Sequence, residues 1–317
     1  MVPWIESTFG PLTGVETQHI VRVDNLVTGE GTLFNELRAK RPIRSALRVE
    51  SNLASELAGD PWADPLTSTP EDTFGRLSNA HAVTAANIAK YDAAHAIVIF
   101  NEPNPLEFSE HSIAAYLSLA FGWVRRAHAE DPAAIYPYVM WNCLWRAGGS
   151  IVHGHIQVSL ARGRHYAKIE RLRQDAARYS SSTGYTYFDD MLAIHESLGL
   201  MDRIGDVRRL AHLTPVKEKE CLLVAPGIGD ALTQALFRTL RTFRDTLGVT
   251  SFNVGMLLPP VAPTPETWAG FPVVVRIVDR GSLETRTSDI GGMEMYAEAV
   301  VAADPYAVHA ALVPGGS

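Results

Sequence analysis

Apolar positions along the chain fall into two rhythms, one helical and one strand-like. Ile113, Leu117, Ala120, Val124 and Ala127 recur at helical spacing behind a Ser109 cap, and the run stops near Asp131-Pro132. Leu232, Leu236, Leu240, Phe243 and Leu247 repeat the pattern, with Asp230 as the expected cap and Gly248 as the stop. Strand-like runs flank each helix. "HAIVIFN" (95–101) precedes the first, and "YPYVMWN" and "IVHGHIQVSLA" follow it around the turn "RAGGS". "KECLLVAP" precedes the second, and "TSFNVGMLL" and "FPVVVRIVD" follow it. A last helix is predicted from Asp304-Pro305. Near the start, "HIVRVDN" and "GTLFNEL" read as short strands around a turn at Thr28-Gly29. The basic segment "RAKRPIR" comes next, and residues 55–75 read as a loop rich in Pro, Asp, Ser and Thr.

Strand–helix–strand–strand therefore occurs twice, which predicts an α+β fold with antiparallel sheets and an internal duplication. The polar stretch "YSSSTGYTY" reads as the hinge between the halves, so the expected units are 1–183 and 184–317. Composition agrees with a chain that folds: 317 residues, 46% hydrophobic and 20% charged. A net charge of −7 argues against a broad nucleic-acid footprint, though not against a local anion site. Only Cys143 and Cys221 are present, too few for a disulfide framework or a Cys-based zinc site, which fits a reducing cytoplasm. The N-terminus lacks the pattern of a signal peptide, and no run approaches the length of a membrane span.

The chemistry concentrates in "WNCLWRAGGSIVHGHIQVSLARG" (141–163). On a strand, alternate residues share a face, so His153, His155 and Gln157 are expected to point together. One histidine on a strand is usually structural, and two at this spacing also suit half of a metal site. The flanking residues shift that balance. The turn Ala147-Gly148-Gly149-Ser150 offers free N–H groups that suit a phosphate oxygen, and Gly154 permits close backbone approach. A neutral imidazole, with a reference pKa near about 6.5, is a competent nucleophile toward phosphorus. Gln157 donates an amide hydrogen bond without adding charge.

The motif Asn142-x7-Ser150-x2-His153-x-His155-x-Gln157 resembles the active-site strand of the galactose-1-phosphate uridylyltransferase branch of the histidine-triad superfamily, which also holds dinucleoside tetraphosphate phosphorylases. The resemblance implies two histidine-triad-like halves, only the first carrying the motif. It makes His155 the nucleotidylated nucleophile and His153 its support. Asn142, Ser150 and Gln157 then contact the transferred phosphoryl group. "VRVDNLVTGEGTLFNELRAKRP" resembles the family's N-terminal segment and implies phosphate contacts from Arg38 and Arg41, often made across a homodimer interface. "IFNEPNPLEFSEHS" resembles the stretch that precedes the active-site strand, and "GGMEMYAEAV" resembles the sugar-contacting segment, which points to Glu294.

The chain also departs from the family. The Cys-x-x-Cys pair of the structural zinc is absent, as is the second His-x-His pair, so neither zinc nor iron is expected and His153 is free to hydrogen-bond. Magnesium carried in with a nucleotide remains compatible. Val300 stands where the family has a sugar-site glutamine, which puts galactose in doubt. Bland readings stand beside several candidates: Arg38 and Arg41 as a solvated basic turn, Asn87 as a turn residue rather than a base or ribose contact, Glu294 as a surface carboxylate, and Trp141 and Trp145 as packing. The leading expectation is an enzyme that moves a nucleoside monophosphate from an NDP-sugar or related nucleotide to a sugar phosphate-type acceptor. The alternatives are a phosphorylase using the same histidine and a catalytically silent nucleotide binder.

Overall fold

The computed structural model describes residues 2–40, 53–285 and 288–313. The chain begins with two short helices, α1 (Val2–Phe9) and α2 (Leu12–Glu16). The hairpin β1 (Val21–Asp24) and β2 (Gly31–Phe34) follows, then α3 (Leu53–Ala58) and α4 (Pro65–Ser68). The first large unit is β3 (Ala82–Ala86), β4 (Ala94–Phe100), α5 (Glu110–Glu130), β5 (Ala134–Cys143) and β6 (His155–Arg162). Helices α6 (Ala167–Thr183) and α7 (Tyr187–Ser197) lead to the second: β7 (Met201–Ile204), β8 (Val207–Ala211), β9 (Cys221–Ala225), α8 (Asp230–Asp245), β10 (Phe252–Leu257) and β11 (Val273–Asp279). Helix α9 (Gly292–Tyr296), β12 (Ala299–Val301) and α10 (Pro305–Leu312) complete the described elements.

The α+β architecture and the duplication both hold. Nine strands form one sheet in the order β3-β4-β6-β5-β10-β11-β9-β8-β7, with every neighbouring pair antiparallel. Read outward from the β5/β10 seam, β5-β6-β4-β3 is answered by β10-β11-β9-β8. The halves are thus hydrogen-bonded edge to edge, with Asn142 opposite Asn253 and Met140 opposite Gly255. A separate three-stranded sheet joins the β1–β2 hairpin to β12, the last pairing being parallel.

One face of the large sheet is a continuous core. Val98, Ile156, Val158 and Leu160 pack beneath α5, and Leu223, Val254, Val275 and Ile277 share that core with Leu232, Leu236, Leu240 and Phe243 of α8. Helix α5 starts where the sequence places it: the Ser109 hydroxyl accepts from Ser112 N–H at 3.1 Å, and the Ser112 hydroxyl accepts from Ser109 N–H at 2.8 Å. Helix α8 has Gly229 rather than Asp230 at its cap, and it ends at Asp245, before Gly248. On the opposite face, Leu222, Val224, Leu257 and Val274 are covered by α6 and α7. The polar stretch read as a hinge is the end of α6, a left-handed Gly184 and the start of α7. The segment 55–75 is not only loop, since it holds α3 and α4. What remains of this face, over β4 and β6, carries the side chains of the motif.

Candidate active site

Strand β6 presents His155, Gln157 and Ser159 away from the α5 core, because Ile156, Val158 and Leu160 alternate with them and face it. The ladder with β4 sets His155 opposite Ile99 and Gln157 opposite Ile97. His155 is 6% exposed. Its Nδ1 lies 2.8 Å from the His153 carbonyl oxygen, which only accepts, so Nδ1 carries the proton and donates. The lone pair is thereby left on Nε2, which has no hydrogen-bond partner among the described residues. Burial pushes the His155 pKa down to about 4, against the pull of the His153 carbonyl, with the charge of His153 adding to the depression. The ring is a neutral imidazole throughout the physiological range.

His153 differs from its expected placement. The strand begins at His155, and His153 lies before it, outside the ladder. Its Nδ1 is 2.5 Å from Asp60 Oδ2, and its Nε2 is 2.6 Å from the Phe100 carbonyl oxygen. Both partners are acceptors, so both ring nitrogens donate and the ring is an imidazolium paired with the Asp60 carboxylate. Asp60 Oδ1 accepts from Trp62 N–H at 2.8 Å. The Trp62 ring stands edge-on to His155 at 4.9 Å and to His153 at 6.1 Å between centroids, so it walls one side of both.

Gln157 is set by a residue the sequence reading did not single out. His95 is buried, its Nδ1 accepts from Tyr91 N–H at 3.0 Å, and its Nε2 is 3.1 Å from Gln157 Oε1. With Nδ1 accepting, Nε2 carries the proton and donates to Oε1. The amide nitrogen of Gln157 is therefore its remaining, donating end. Burial lowers the His95 pKa, which keeps this neutral tautomer in place. Asn87 lies beside it, its Nδ2 3.3 Å from His95 Nε2, a donor facing a donor and so no hydrogen bond. Its Oδ1 accepts from Ala89 N–H at 3.0 Å, the geometry of a turn residue.

The seam contributes the next group. Asn142 Oδ1 accepts from Asn253 Nδ2 at 2.8 Å, and the same Nδ2 is 2.9 Å from the Ala147 carbonyl oxygen. Arg280 donates to Asn253 Oδ1 and pairs with Asp289 at 2.7 Å. The Asn142 amide nitrogen is again the end left to donate. In the following turn, Ala147 and Gly149 N–H bond to Leu144 O, and Gly148 N–H bonds to Trp145 O. Three of the N–H groups expected to be free are engaged within the turn itself. Gly149 is required sterically, since a Cβ there would sit 2.9 Å from the Asn142 carbonyl oxygen. Ser150 is exposed just beyond these bonds. Gly154 makes room not for a ligand but for Phe100: a Cβ would lie 2.4 Å from that ring.

The outlying candidates are less tightly gathered. Arg38 is exposed in the 3-10 turn Glu36–Lys40, and Arg41 lies outside the described residues. The Glu294 carboxylate accepts from Gly291 N–H at 2.8 Å and so caps α9. Burial would raise its pKa, but backbone N–H groups, Lys217 and Arg38 hold it below the usual value. In the second half, Val274 pairs with the penultimate residue of β9, as His155 pairs with that of β4. Val274 and Arg276 thus stand where His155 and Gln157 stand in the first. Arg276 is held there by Glu220 at 2.5 Å and Glu30 at 2.6 Å.

Around His153 the donor set does not fit a tetrahedral zinc of nitrogen and sulfur ligands. Both ring nitrogens already donate, and Cys143 and Cys221 are buried in the helix-side core. Among the described residues no group of three or more His, Cys, Asp or Glu side chains is arranged to hold a metal, and no helix is long and apolar enough to cross a membrane.

By sequence, the chain matches no established family profile and no curated protein. By structure, it is similar to an ADP-glucose phosphorylase from Arabidopsis thaliana, with a TM-score of 0.69 at 16% identity over 93% of this chain and 98% of that one. A GalT-like protein from the same plant superposes with a TM-score of 0.66 at 14% identity, over 93% and 98% of the two chains. A uridylyltransferase gives 0.62 at 13%, over 93% and 97%. The chain therefore shares the fold of these three proteins, the α+β architecture that the resemblance of the motif implied.

Proposed function

We propose that this chain is a nucleotidyltransferase that works through a covalent nucleotidyl group on His155 Nε2. The observation that carries this reading is the Nδ1–H hydrogen bond to the His153 carbonyl at 2.8 Å, which leaves the Nε2 lone pair of a buried, neutral ring as the nucleophile. In the first half-reaction, Nε2 attacks the α-phosphorus of a nucleotide donor, the bond from that phosphorus to the bridging oxygen breaks, and the remainder leaves as a phosphate. The positive charge that the ring then carries is shared with the His153 carbonyl through Nδ1–H. In the second half-reaction, a phosphate oxygen of the acceptor attacks the same phosphorus and the N–P bond breaks, returning the lone pair to Nε2. The amide nitrogens of Gln157 and Asn142 supply donors to the phosphoryl oxygens as charge builds on them.

An NDP-sugar is the favoured donor, in keeping with the fold shared with a uridylyltransferase and with an ADP-glucose phosphorylase whose structure holds ADP-glucose. A sugar phosphate and inorganic phosphate are both acceptors of the right chemistry. One observation favours inorganic phosphate: Glu294 is engaged as a helix cap, and Val300 is a ladder residue opposite Leu33, so the segment offers little to a hexose. We read the enzyme as working without structural zinc or iron, and as a homodimer in which Arg38 and Arg41 approach the phosphates.

The test is to incubate the protein with a panel of NTPs and NDP-sugars and weigh it intact. Addition of one NMP mass is expected with the true donor, and none in His155→Asn, which should still bind nucleotide. An adduct mapped to another residue, or turnover retained in His155→Asn, would overturn the mechanism. For the assembly, light scattering is expected to give a dimer, and Arg41→Ala to weaken nucleotide binding by about 1–3 kcal/mol, the scale of a charge-assisted hydrogen bond. A monomer with unchanged affinity in that variant would remove both parts.

A further inference from the structure

We propose that Asp60 is a positioning residue: through His153 it fixes the tautomer and aim of His155. The inference rests on the reading of His155 as the nucleophile. Three hydrogen bonds make the chain of contacts. Asp60 Oδ2 accepts from His153 Nδ1–H at 2.5 Å, His153 Nε2–H donates to the Phe100 carbonyl at 2.6 Å, the His153 carbonyl accepts from His155 Nδ1–H at 2.8 Å, and the free Nε2 follows.

The brace matters because of where His153 lies. The ladder holds the strand from His155 onward, and Gly154 is tied by Phe100 N–H to its carbonyl and by its own N–H to the Pro103 carbonyl, each at 2.9 Å. The carbonyl of residue 153 itself has no ladder partner among the described residues to set its direction. Its orientation depends on the ring attached to the same residue, and that ring is anchored at both nitrogens. Asp60 is 93% buried at its side chain, and among the described residues its side-chain oxygens meet only His153 and Trp62 N–H. A carboxylate so placed needs a cation, and among the described residues the imidazolium is the one it meets. The same contact holds the Asp60-Pro61-Trp62 turn down, which sets the Trp62 ring against His155.

A neutral His153 has one proton for two acceptors. It then releases either Asp60 or Phe100, the peptide at residue 153 gains freedom to rotate, and His155 Nδ1–H loses its fixed acceptor. The proton then distributes over both nitrogens of His155, and the fraction with a free Nε2 falls.

The experiment reads this without a substrate. Protein labelled with 15N-histidine is compared as wild type, Asp60→Asn and Asp60→Glu, with the two rings assigned from His153→Gln and His155→Asn spectra. Wild type is expected to show a doubly protonated His153 and a single Nδ1–H tautomer of His155. Asp60→Asn, which is isosteric and keeps an acceptor for Trp62 N–H, is expected to show a neutral His153 and mixed tautomers of His155, with Asp60→Glu between the two. With a donor that labels wild type, Asp60→Asn should form the adduct about ten- to a hundred-fold more slowly, with nucleotide affinity unchanged. A His155 tautomer unaltered in Asp60→Asn overturns the proposal. Failure of the wild type to take up any nucleotidyl group instead overturns the covalent mechanism, and the ring spectra still decide the role of Asp60.

Discussion

At the scale of single residues, the site is built from histidines held in different states by what their nitrogens meet. His155 is neutral because it is buried and its hydrogen-bond partner is one carbonyl. His153, two residues away, is charged because it faces a carboxylate and a carbonyl. His95 is neutral with the opposite tautomer to His155, because a backbone N–H occupies its Nδ1. That last assignment is testable. His95→Phe removes the donor to Gln157 Oε1, so the amide is free to turn its oxygen toward the phosphoryl group. Adduct formation is expected to slow by about ten-fold, roughly one hydrogen bond of the kind formed in the transition state, and Gln157→Glu should slow it further by presenting a carboxylate. Equal single-turnover rates for His95→Phe and wild type would show that Gln157 is oriented by something else. His155 and Gln157 were legible from alternation alone, since a period of two needs no partner to be seen. Asp60, His95 and Asn253 were not, because each acts through a contact far away in sequence. The one local signal for Asp60 was an acidic residue ahead of Pro61-Trp62 inside a stretch that reads as loop.

At the scale of elements, the long helices were readable and the short pieces were not. The apolar stripes of α5 and α8 run for several turns, and the Ser109 cap lies where the sequence puts it. The hairpin β7–β8 was hidden because "MDRI" and "VRRLA" carry charges that pair with each other, Arg209 bonding Asp202 at 2.7 Å, rather than alternating cleanly with apolar residues. The start of β6 was misplaced by four residues because "IVHG" is as apolar as a strand while its backbone bends to reach Phe100 and Pro103. That bend depends on Gly154. Phe100 cannot retreat from a new methyl group, since it is stacked on Tyr116 at 3.7 Å and meets Trp141 edge-on at 5.2 Å. Gly154→Ala is therefore expected to destabilise the fold by about 1–3 kcal/mol, as overpacking a filled core does, with a lower urea midpoint and slower adduct formation together. An unchanged midpoint would mean that the Phe100 ring has room to move.

At the scale of the whole molecule, buried neutral histidines make stability depend on pH. His155, His165 and His195 each have a pKa pushed down to about 4 by burial. The unfolded chain binds these protons near about 6.5. Between those values the unfolded state holds more protons, so stability is complete above about pH 6.5 and is lost as pH falls toward about 4. Glu30 adds to the loss at lower pH. Burial would raise its carboxyl, but Arg276 holds it down to about 2, so its contribution is present above its unfolded value and disappears on further acidification. Urea midpoints measured from pH 8 to pH 4.5 should hold steady at first and then fall; a flat profile would show that these rings charge freely in the folded chain.

The seam between β5 and β10 has a consequence for how the chain comes into being. A ribosome completes β5, residues 134–143, more than a hundred residues before β10 exists to pair with it. Through that interval the nascent first half exposes the edge that β10 will cover, residues 138–143, with unmatched N–H and C=O groups. The near two-fold relation of the halves makes a second copy of the same edge its natural substitute partner. Early during synthesis the chain is therefore vulnerable to pairing with its neighbours on the same message, and the second half, which has Val274 and Arg276 where the first has His155 and Gln157, is a tethered cover for that edge.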